Sequence, residues 1–404
     1  MKIKSNLDLE ELAAECMNRP IRGIFGLDGE QQAEFIGSCR DSVILITGAA
    51  GFIAQATLPH ILAAKPRRLY LVDTSENGLA ALARKLATTR RPEHTTDIRM
   101  ILADVTSPIF DRAIYGMGHV DLVLHFAAVK HVRSERDPAS ALRILDVNVT
   151  GTERLLGALS SKAVPPRVFA VSTDKAVNPT SMMGASKLIM ESLLWTYPGI
   201  TTSARFANVL FSSGSITESW IDRIGRGEPL SAPLETYRYF ISPQEAGLIC
   251  ANALVSTNRS IVVPSVGILE PLDLVNLARR FLEFFGKTAV EVSLDAWRRD
   301  PSKALPTNYP SDQYPLVCTP RDTAGEKELE EFFRHDERVV SWTTDLSLIC
   351  GNSPLETRAL IPQLGLWNEN PTVDVTVAQI RAEISSIVPG FRGVAAEATL
   401  DARI

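Results

Sequence analysis

The stretch that most constrains this chain is a short apolar run followed at once by glycines. Val43-Ile44-Leu45-Ile46 carries no polar side chain, which requires a strand buried on both faces, as in a sheet covered by helices on either side. Thr47-Gly48-Ala49-Ala50-Gly51-Phe52-Ile53-Ala54 follows directly, and a helical pattern then runs to about Ala64. Gly48 allows the tight turn and Gly51 allows the backbone to approach a pyrophosphate closely. The helix start at Phe52 and Ile53 supplies free N–H groups and the positive end of a dipole. Ala54, in the third position, is still small enough for helix–strand packing. A glycine triplet alone is weak evidence, and its bland reading is a structural turn. The preceding strand, the following helix and Asp73, 22 residues after Gly51, supply the context of a dinucleotide site.

The same alternation continues. Strands are expected at Arg68–Asp73, Ile98–Asp104, Asp121–Ala128, Arg167–Ser172 and Thr202–Val209. Helical patterns lie between them, near Glu76–Thr88, Ser140–Val147 and Thr152–Ser160. This order predicts an α/β fold with a doubly wound parallel sheet of the Rossmann kind. Four hundred and four residues exceed one small domain. We read 1–40 as an N-terminal extension with a helix near Leu9–Met17, and 41–212 as the nucleotide domain with its catalytic segment. Proline-containing loops mark 213–346 as a smaller substrate lobe that could share sheet elements. The last part, 347–404, is an extension closing with an amphipathic helix around Val377–Ile387.

Composition excludes other classes. With 45% hydrophobic and 22% charged residues the chain is neither disordered nor fibrous. A net charge of -5 disfavours nonspecific nucleic-acid binding. Cys16, Cys39, Cys250, Cys318 and Cys350 form no CxxC pair, so no zinc or dithiol site is expected, and they read as reduced thiols. No stretch resembles a signal peptide or an uninterrupted apolar span, so a soluble cytoplasmic protein with no membrane contact is expected.

At the expected site, Asp73 would bond the adenosine ribose hydroxyls and repel a 2′-phosphate. Thr74-Ser75-Glu76 offers no base to rescue one, which favours NAD over NADP. Arg84 and Lys85 read as a solvated face. Asp104 and Val105 close the third strand where adenine usually lies, although Asp104 could equally be a helix cap. A second cluster, Val171-Ser172-Thr173-Asp174-Lys175-Ala176-Val177-Asn178-Pro179-Thr180-Ser181-Met182-Met183-Gly184-Ala185-Ser186-Lys187, begins at the end of a sheet strand. Doubly wound folds place ligands there. Asp174 and Lys175 could be a surface ion pair, but burial and mutual charge beside a cofactor can tune such a pair into acid and base.

The arrangement resembles the extended short-chain dehydrogenase/reductases, and within them the CapD-like polysaccharide-biosynthesis group, which includes UDP-N-acetylglucosamine 4,6-dehydratases and related epimerases. The resemblance runs from about Arg19 to Thr343. It rests on TGAAGFIA, HFAAVKHV, NVTGT, VSTDKAVNPTSMMGASK, RFANVLFSSGS, YRYFISPQEA and GEKELEEF, in that order. It implies that Lys187 holds the nicotinamide ribose and that Ala127 and Ala128 flank the cofactor. Thr173 would contact the sugar 4-hydroxyl, Asp174 would act as the acid for loss of the 6-hydroxyl, and Lys175 as the base at C5. Met183 stands where the superfamily places a catalytic tyrosine, and a thioether cannot be a general base. Some active dehydratases of the group also carry methionine there. The implied substrate contacts are Lys130, His131, Asn208, Ser213, Arg238 and Glu326, each of which could instead be a surface or structural group.

The expected activity is therefore that of an NAD-dependent lyase on UDP-N-acetylglucosamine or a related UDP-sugar. Hydride would leave C4, water would be lost across C5 and C6, and hydride would return to C6, giving a 4-keto-6-deoxy sugar nucleotide. Departures from the pattern are Phe52, Ala54 and Ala207, a Lys130–Asn148 interval about two residues longer, and Thr323 in place of an arginine. They leave an epimerase or oxidoreductase, or a silent NAD- or sugar-nucleotide-binding protein, as alternatives. Because the group commonly pairs through helices beside the catalytic segment, a homo-oligomer is expected.

Overall fold

The computed structural model describes residues 8–20, 24–89, 96–130, 135–320, 329–351, 353–357, 359–370 and 372–391. Its main sheet contains β1 (Val43–Thr47), β2 (Arg68–Asp73), β3 (Asp97–Leu102), β4 (Leu122–His125), β5 (Arg167–Val171) and β6 (Thr201–Ala204). Three later strands, Ser260–Pro264, Arg338–Ser341 and Leu346–Cys350, complete it. From one edge the order is 338–341, 346–350, 260–264, β6, β5, β4, β1, β2, β3. The sheet is parallel from β3 to 260–264, and the last two strands are antiparallel. The fold is thus α/β and doubly wound.

Burial on both faces is visible within β1 itself. Val43 and Leu45 belong to one hydrophobic cluster, and Ile44 and Ile46 to the cluster on the other side of the sheet. The chain order reverses between β1 and β4, and it is there that a crevice opens beyond the carboxyl ends of the strands.

Two strands end earlier than the sequence pattern suggests. β4 stops at His125, although the Phe126 N–H still donates to Thr47 O at 2.9 Å. Residues 126–129 then turn away to line the crevice. β6 stops at Ala204, and Asn208–Val209 pairs instead with Phe240–Ile241. In both places the apolar pattern outlasts the ladder because the residues pack against the crevice wall or the lobe. The expected break between Val147 and Thr152 is also absent. Helix Pro138–Leu145 passes through a π-helical turn, Asp146–Thr150, into helix Gly151–Ser160. A Cβ on Gly151 would lie 2.8 Å from the Val105 side chain, so glycine allows this close crossing.

The lobe has its own core, built on strands Leu230–Pro233, Thr288–Ser293 and Gln313–Thr319 and helix Leu274–Phe284. Helix Leu9–Met17 contributes Leu12, Ala13, Cys16 and Met17 to that core. Helix Gly29–Cys39 instead packs with helix Pro243–Val255 on the main sheet. At the other end of the chain, Leu360, Leu364, Ile380, Ile384 and Val388 join the cluster around helices Pro138–Leu145 and Met182–Thr196. Every residue from Met182 to Trp195 is buried. A helix buried on every side needs cover on its outer face; helix Val377–Ile387 packs on it, and helix Leu360–Glu369 packs on the neighbouring helix Pro138–Leu145 and the π-helical turn. Among the described residues, no helix is long and apolar enough to cross a membrane.

Candidate active site

One groove collects most of the residues expected to hold a cofactor. Gly48, Gly51, Asp73, Asp104, Val105, Ala127 and Ala128 line it together with Thr74, Val129 and Arg143. Gly48 has φ +67, and a Cβ there would stand 2.6 Å from Ala127 N, so the turn requires glycine on both conformational and steric grounds. Helix Phe52–Ala63 begins at Gly51 with no side-chain cap and no acid in its first turn. Its free N–H groups therefore remain available to an anion, and the residues present fit a dinucleotide pyrophosphate.

The carboxylate of Asp73 braces this turn. Oδ2 accepts the Ala50 N–H at 2.9 Å and Oδ1 accepts the Ser75 N–H at 2.9 Å. Phe52 packs between the main-sheet and lobe cores, and Ile53 packs in the main-sheet core. Asp104 accepts the Thr106 N–H at 3.0 Å and the Thr106 hydroxyl at 2.9 Å, and it pairs with Arg143. Burial works against its charge, but these donors hold the carboxyl below the usual aspartate range. Arg143 was not anticipated as a groove residue. It also bonds Asp146 at 2.8 Å, one helical turn on.

The second cluster sits at the end of β5. Asp174-Lys175-Ala176 form a single 3-10 turn capped by Thr173. Thr173 Oγ1 donates to Asp174 Oδ1 at 2.8 Å, and Lys175 Nζ donates to the same oxygen at 3.0 Å. Asp174 is 1% exposed, and its other oxygen, Oδ2, has no hydrogen-bond partner among the described residues. Lys175 Nζ also lies 4.0 Å from Glu330 Oε1. Burial pulls against the lysine charge, but Asp174 and then Glu330 outweigh it and hold the ammonium above the usual lysine range, with Arg238 opposing them.

Helix Met182–Thr196 supports this turn from below. A Cβ on Gly184 would fall 2.3 Å from Lys175 O, so the helix and the turn meet at a glycine. Met183 is buried, and its N–H donates to Glu135 Oε1 at 2.9 Å. Burial raises the Glu135 pKa despite the Met183 and Met182 N–H donors and nearby Arg381. Lys187 is buried with Nζ 3.0 Å from Val171 O. Burial brings its pKa down to about 8 against the pull of Glu191.

A buried ionic network lies behind the strand end. Ser172 Oγ donates to Glu191 Oε1 at 2.6 Å, and Arg205 spans Glu191 at 2.6 Å and Glu337 at 2.8 Å. Burial opposes the Arg205 charge, but Glu191 and Glu337 raise its pKa. Glu191 follows Lys187 by one helical turn, a spacing that could have signalled it. Nothing in the sequence links Glu135, Glu330 or Glu337 to their partners, because each contact joins distant segments.

The expected substrate residues are less closely gathered. Arg238 is buried, close enough to act electrostatically on Lys175, and its Nη1 donates to Tyr237 O at 2.7 Å. Asn208 Nδ2 donates to Tyr239 O at 3.2 Å. Lys130 and Ser213 are exposed. His131 and Glu326 lie outside the described residues.

A family profile described as "Polysaccharide biosynthesis protein" matches residues 44–300. The chain belongs to this family. The probable polysaccharide biosynthesis protein EpsC of Bacillus subtilis is 28% identical over 271 residues, 65% of this chain and 44% of the relative. A Methanocaldococcus jannaschii relative named "Uncharacterized membrane protein MJ1061" is 35% identical over 217 residues, 51% of this chain and 61% of its own. The chain thus spans about half the length of the curated relatives it matches. Among solved structures, Pen from Bacillus thuringiensis aligns with TM-score 0.61 and 23% identity over 78% of this chain and 89% of that one. A Methanobrevibacter ruminantium UDP-N-acetylglucosamine 4-epimerase aligns with TM-score 0.51 and 16% identity, covering 72% and 89%. A Bacillus anthracis dTDP-glucose 4,6-dehydratase with NAD gives TM-score 0.51 and 16% identity, covering 72% and 87%. At these identities the structural likeness speaks for the fold, that of the extended short-chain dehydrogenase/reductases.

Proposed function

We propose that this family member is an NAD-dependent 4,6-dehydratase acting on UDP-N-acetylglucosamine or a related UDP-sugar. The observation that carries the reading is the Thr173-Asp174-Lys175 turn with its buried aspartate, set at the carboxyl end of β5, two strands from β1 and its uncapped glycine turn. The solved epimerase of the same fold is in complex with UDP-N-acetylmuramic acid and the solved dehydratase with NAD, which supports this class of substrate and cofactor. Gly48, Gly51, Asp73, Val105, Ala127 and Ala128 would hold NAD, with Lys187 at its nicotinamide ribose. Asp73 disfavours a 2′-phosphate, and among the described residues the one cation in the groove lining, Arg143, is already paired with Asp104 and Asp146. When bound, NAD accepts a hydride from the sugar and later returns it.

The remaining chemistry falls to the turn. At rest Lys175 is an ammonium and cannot be a base. Its Nζ lies 3.0 Å from Asp174 Oδ1, and moving one proton across that bond leaves a neutral amine beside a carboxylic acid. The Lys175 amine then takes the C5 proton, made acidic by the 4-ketone. Asp174 gives its proton to the departing 6-hydroxyl, which leaves as water. Both groups end the elimination in the charge state in which they began. The proton lost from the 4-hydroxyl passes to solvent, and Lys175 gives a solvent-exchanged proton back to C5 as hydride returns to C6 and is then recharged from solvent. Thr173, now bonded to Asp174, would turn toward the sugar 4-hydroxyl.

The test is NMR of the purified protein with UDP-N-acetylglucosamine and NAD in deuterated water. A 6-methyl signal with deuterium at C5 is expected. A product that keeps its 6-hydroxyl would establish an epimerase or oxidoreductase instead, and binding without turnover a silent binder. A cytoplasmic location and a homo-oligomer also belong to this proposal. Because helix Val377–Ile387 packs on helix Met182–Thr196 and helix Leu360–Glu369 on the adjoining helix Pro138–Leu145, pairing through this face would have to accommodate both.

A further inference from the structure

We propose that Glu330 is a positioning residue of this site, holding the Lys175 ammonium together with Asp174 and so setting how readily Lys175 gives up its proton. The inference deepens the dehydratase reading and rests on it for its consequence in catalysis. Its electrostatic content can be tested without turnover.

Two carboxylates lie within 4.0 Å of the lysine nitrogen. Lys175 Nζ lies 3.0 Å from Asp174 Oδ1 and 4.0 Å from Glu330 Oε1. The Glu330 side chain is 7% exposed and that of Lys175 29%. A carboxylate placed so deep costs free energy unless a cation is near, and Lys175 is a cation beside it.

The segment carrying Glu330 is anchored on its C-terminal side. Arg205 Nη1 donates to Phe332 O at 3.3 Å and pairs with Glu337 at 2.8 Å. The Phe332 ring lies 5.3 Å from that of Tyr239, and Asn178 Nδ2 donates to Glu331 at 3.4 Å. The buried arginine that fixes the end of β5 through Glu191 and Ser172 thus also fixes the stretch that delivers Glu330.

Among the described residues, the charged groups acting on Lys175 are Asp174 on its own turn, Glu330 on the anchored segment and Arg238 on the lobe. Two favour the ammonium and one opposes it. Glu330 adds no bond to the reacting atoms. It holds Nζ in place and resists transfer of its proton before substrate is bound. Removing its charge should make the neutral amine more accessible at rest and narrow the pH range in which one proton is shared by Asp174 and Lys175.

Trace acetylation of the full-length protein with acetic anhydride at pH 9, quantified by mass spectrometry, reads the neutral-amine fraction of Lys175 against exposed Lys303. In Glu330→Gln the Lys175 rate should rise about tenfold, the factor for one pH unit. Glu330→Asp, which keeps the charge but shortens the side chain, should stay near the wild-type rate. A packing role predicts the reverse order, with the shorter aspartate worse than the isosteric glutamine. Equal labelling of wild type and Glu330→Gln, or that reverse order, would overturn the proposal. In the deuterated-water assay, the alkaline limb of kcat/KM should move down by about one pH unit in Glu330→Gln alone. If wild type does not turn over, the dehydratase reading fails while the labelling result still decides the electrostatic role of Glu330.

Discussion

The nucleotide groove and the Asp174–Lys175 turn both open at the carboxyl edge of the same sheet, yet they are built in different ways. The groove is mostly backbone. Gly48, Gly51 and the uncapped start of helix Phe52–Ala63 are consecutive, and Asp73 joins them from the neighbouring strand. The turn is mostly side chain. Its lysine is set by Asp174 and Glu330, its supporting helix by Glu135, and its strand end by Glu191, Arg205 and Glu337. A backbone site needs only a short stretch of the right residues. A charge-tuned site needs partners brought from across the fold, so its chemistry is a property of tertiary structure.

That contrast predicts separable failures. Lys175→Ala should have the largest effect, reducing turnover and C5 deuterium exchange by at least about 10²–10⁴-fold. NAD retention, measured by equilibrium dialysis, should be unchanged, because the groove does not contact that side chain. Undiminished exchange would remove Lys175 from its proposed role, and lost NAD would show that the two regions are not independent. Arg205→Met should come next. It leaves Glu191 and Glu337 buried without their cation, at a cost of about 3–5 kcal/mol. Denaturant unfolding measures this, and a loss under 1 kcal/mol would mean the network is solvated. Gly184→Ala should cost about 1–3 kcal/mol, because its new methyl meets Lys175 O. It should lower kcat more than it raises the NAD Kd, since the strain falls on the turn and not on the groove. The opposite pattern would place the strain elsewhere.

The same division explains what could be read from residues alone. β1, β2 and the helix after the glycine turn follow from apolar runs, turn glycines and a period of 3.6, all of which act over short distances. Helices Leu9–Met17 and Val377–Ile387 were legible for the same reason. The ends of β4 and β6 were not, because Phe126 and Phe206 are as apolar as a strand residue while packing elsewhere. Thr173, Asp174, Lys175, Met183 and Lys187 are within 15 residues of each other and were found together. Glu330 stood within a recognised motif, GEKELEEF, but its charge has no meaning until the fold places it beside Lys175. Glu135 and Glu337 carry no local signal at all.

The smallest expected effect probes the seam between the two regions. His125 ends β4, with Nδ1 2.7 Å from Thr47 Oγ1 and Nε2 3.1 Å from Thr152 Oγ1. Burial, with the Lys187 charge adding to it, pushes its pKa down to about 3, so the folded protein keeps the ring neutral. Above pH 6.5 the unfolded chain is neutral there too, and this residue contributes no pH dependence. Below 6.5 the unfolded chain binds a proton that the fold refuses. Stability therefore falls as pH drops toward 3, by about 1.4 kcal/mol per pH unit from this one group. His60 is also depressed by burial, so the wild-type slope alone would not isolate His125. The difference between wild type and His125→Gln does, because His60 and the carboxylates cancel. Urea unfolding at pH 7, 6 and 5 should show the wild type losing stability faster than the variant by about that amount at the acid end. Parallel curves would mean that His125 is protonated in the fold.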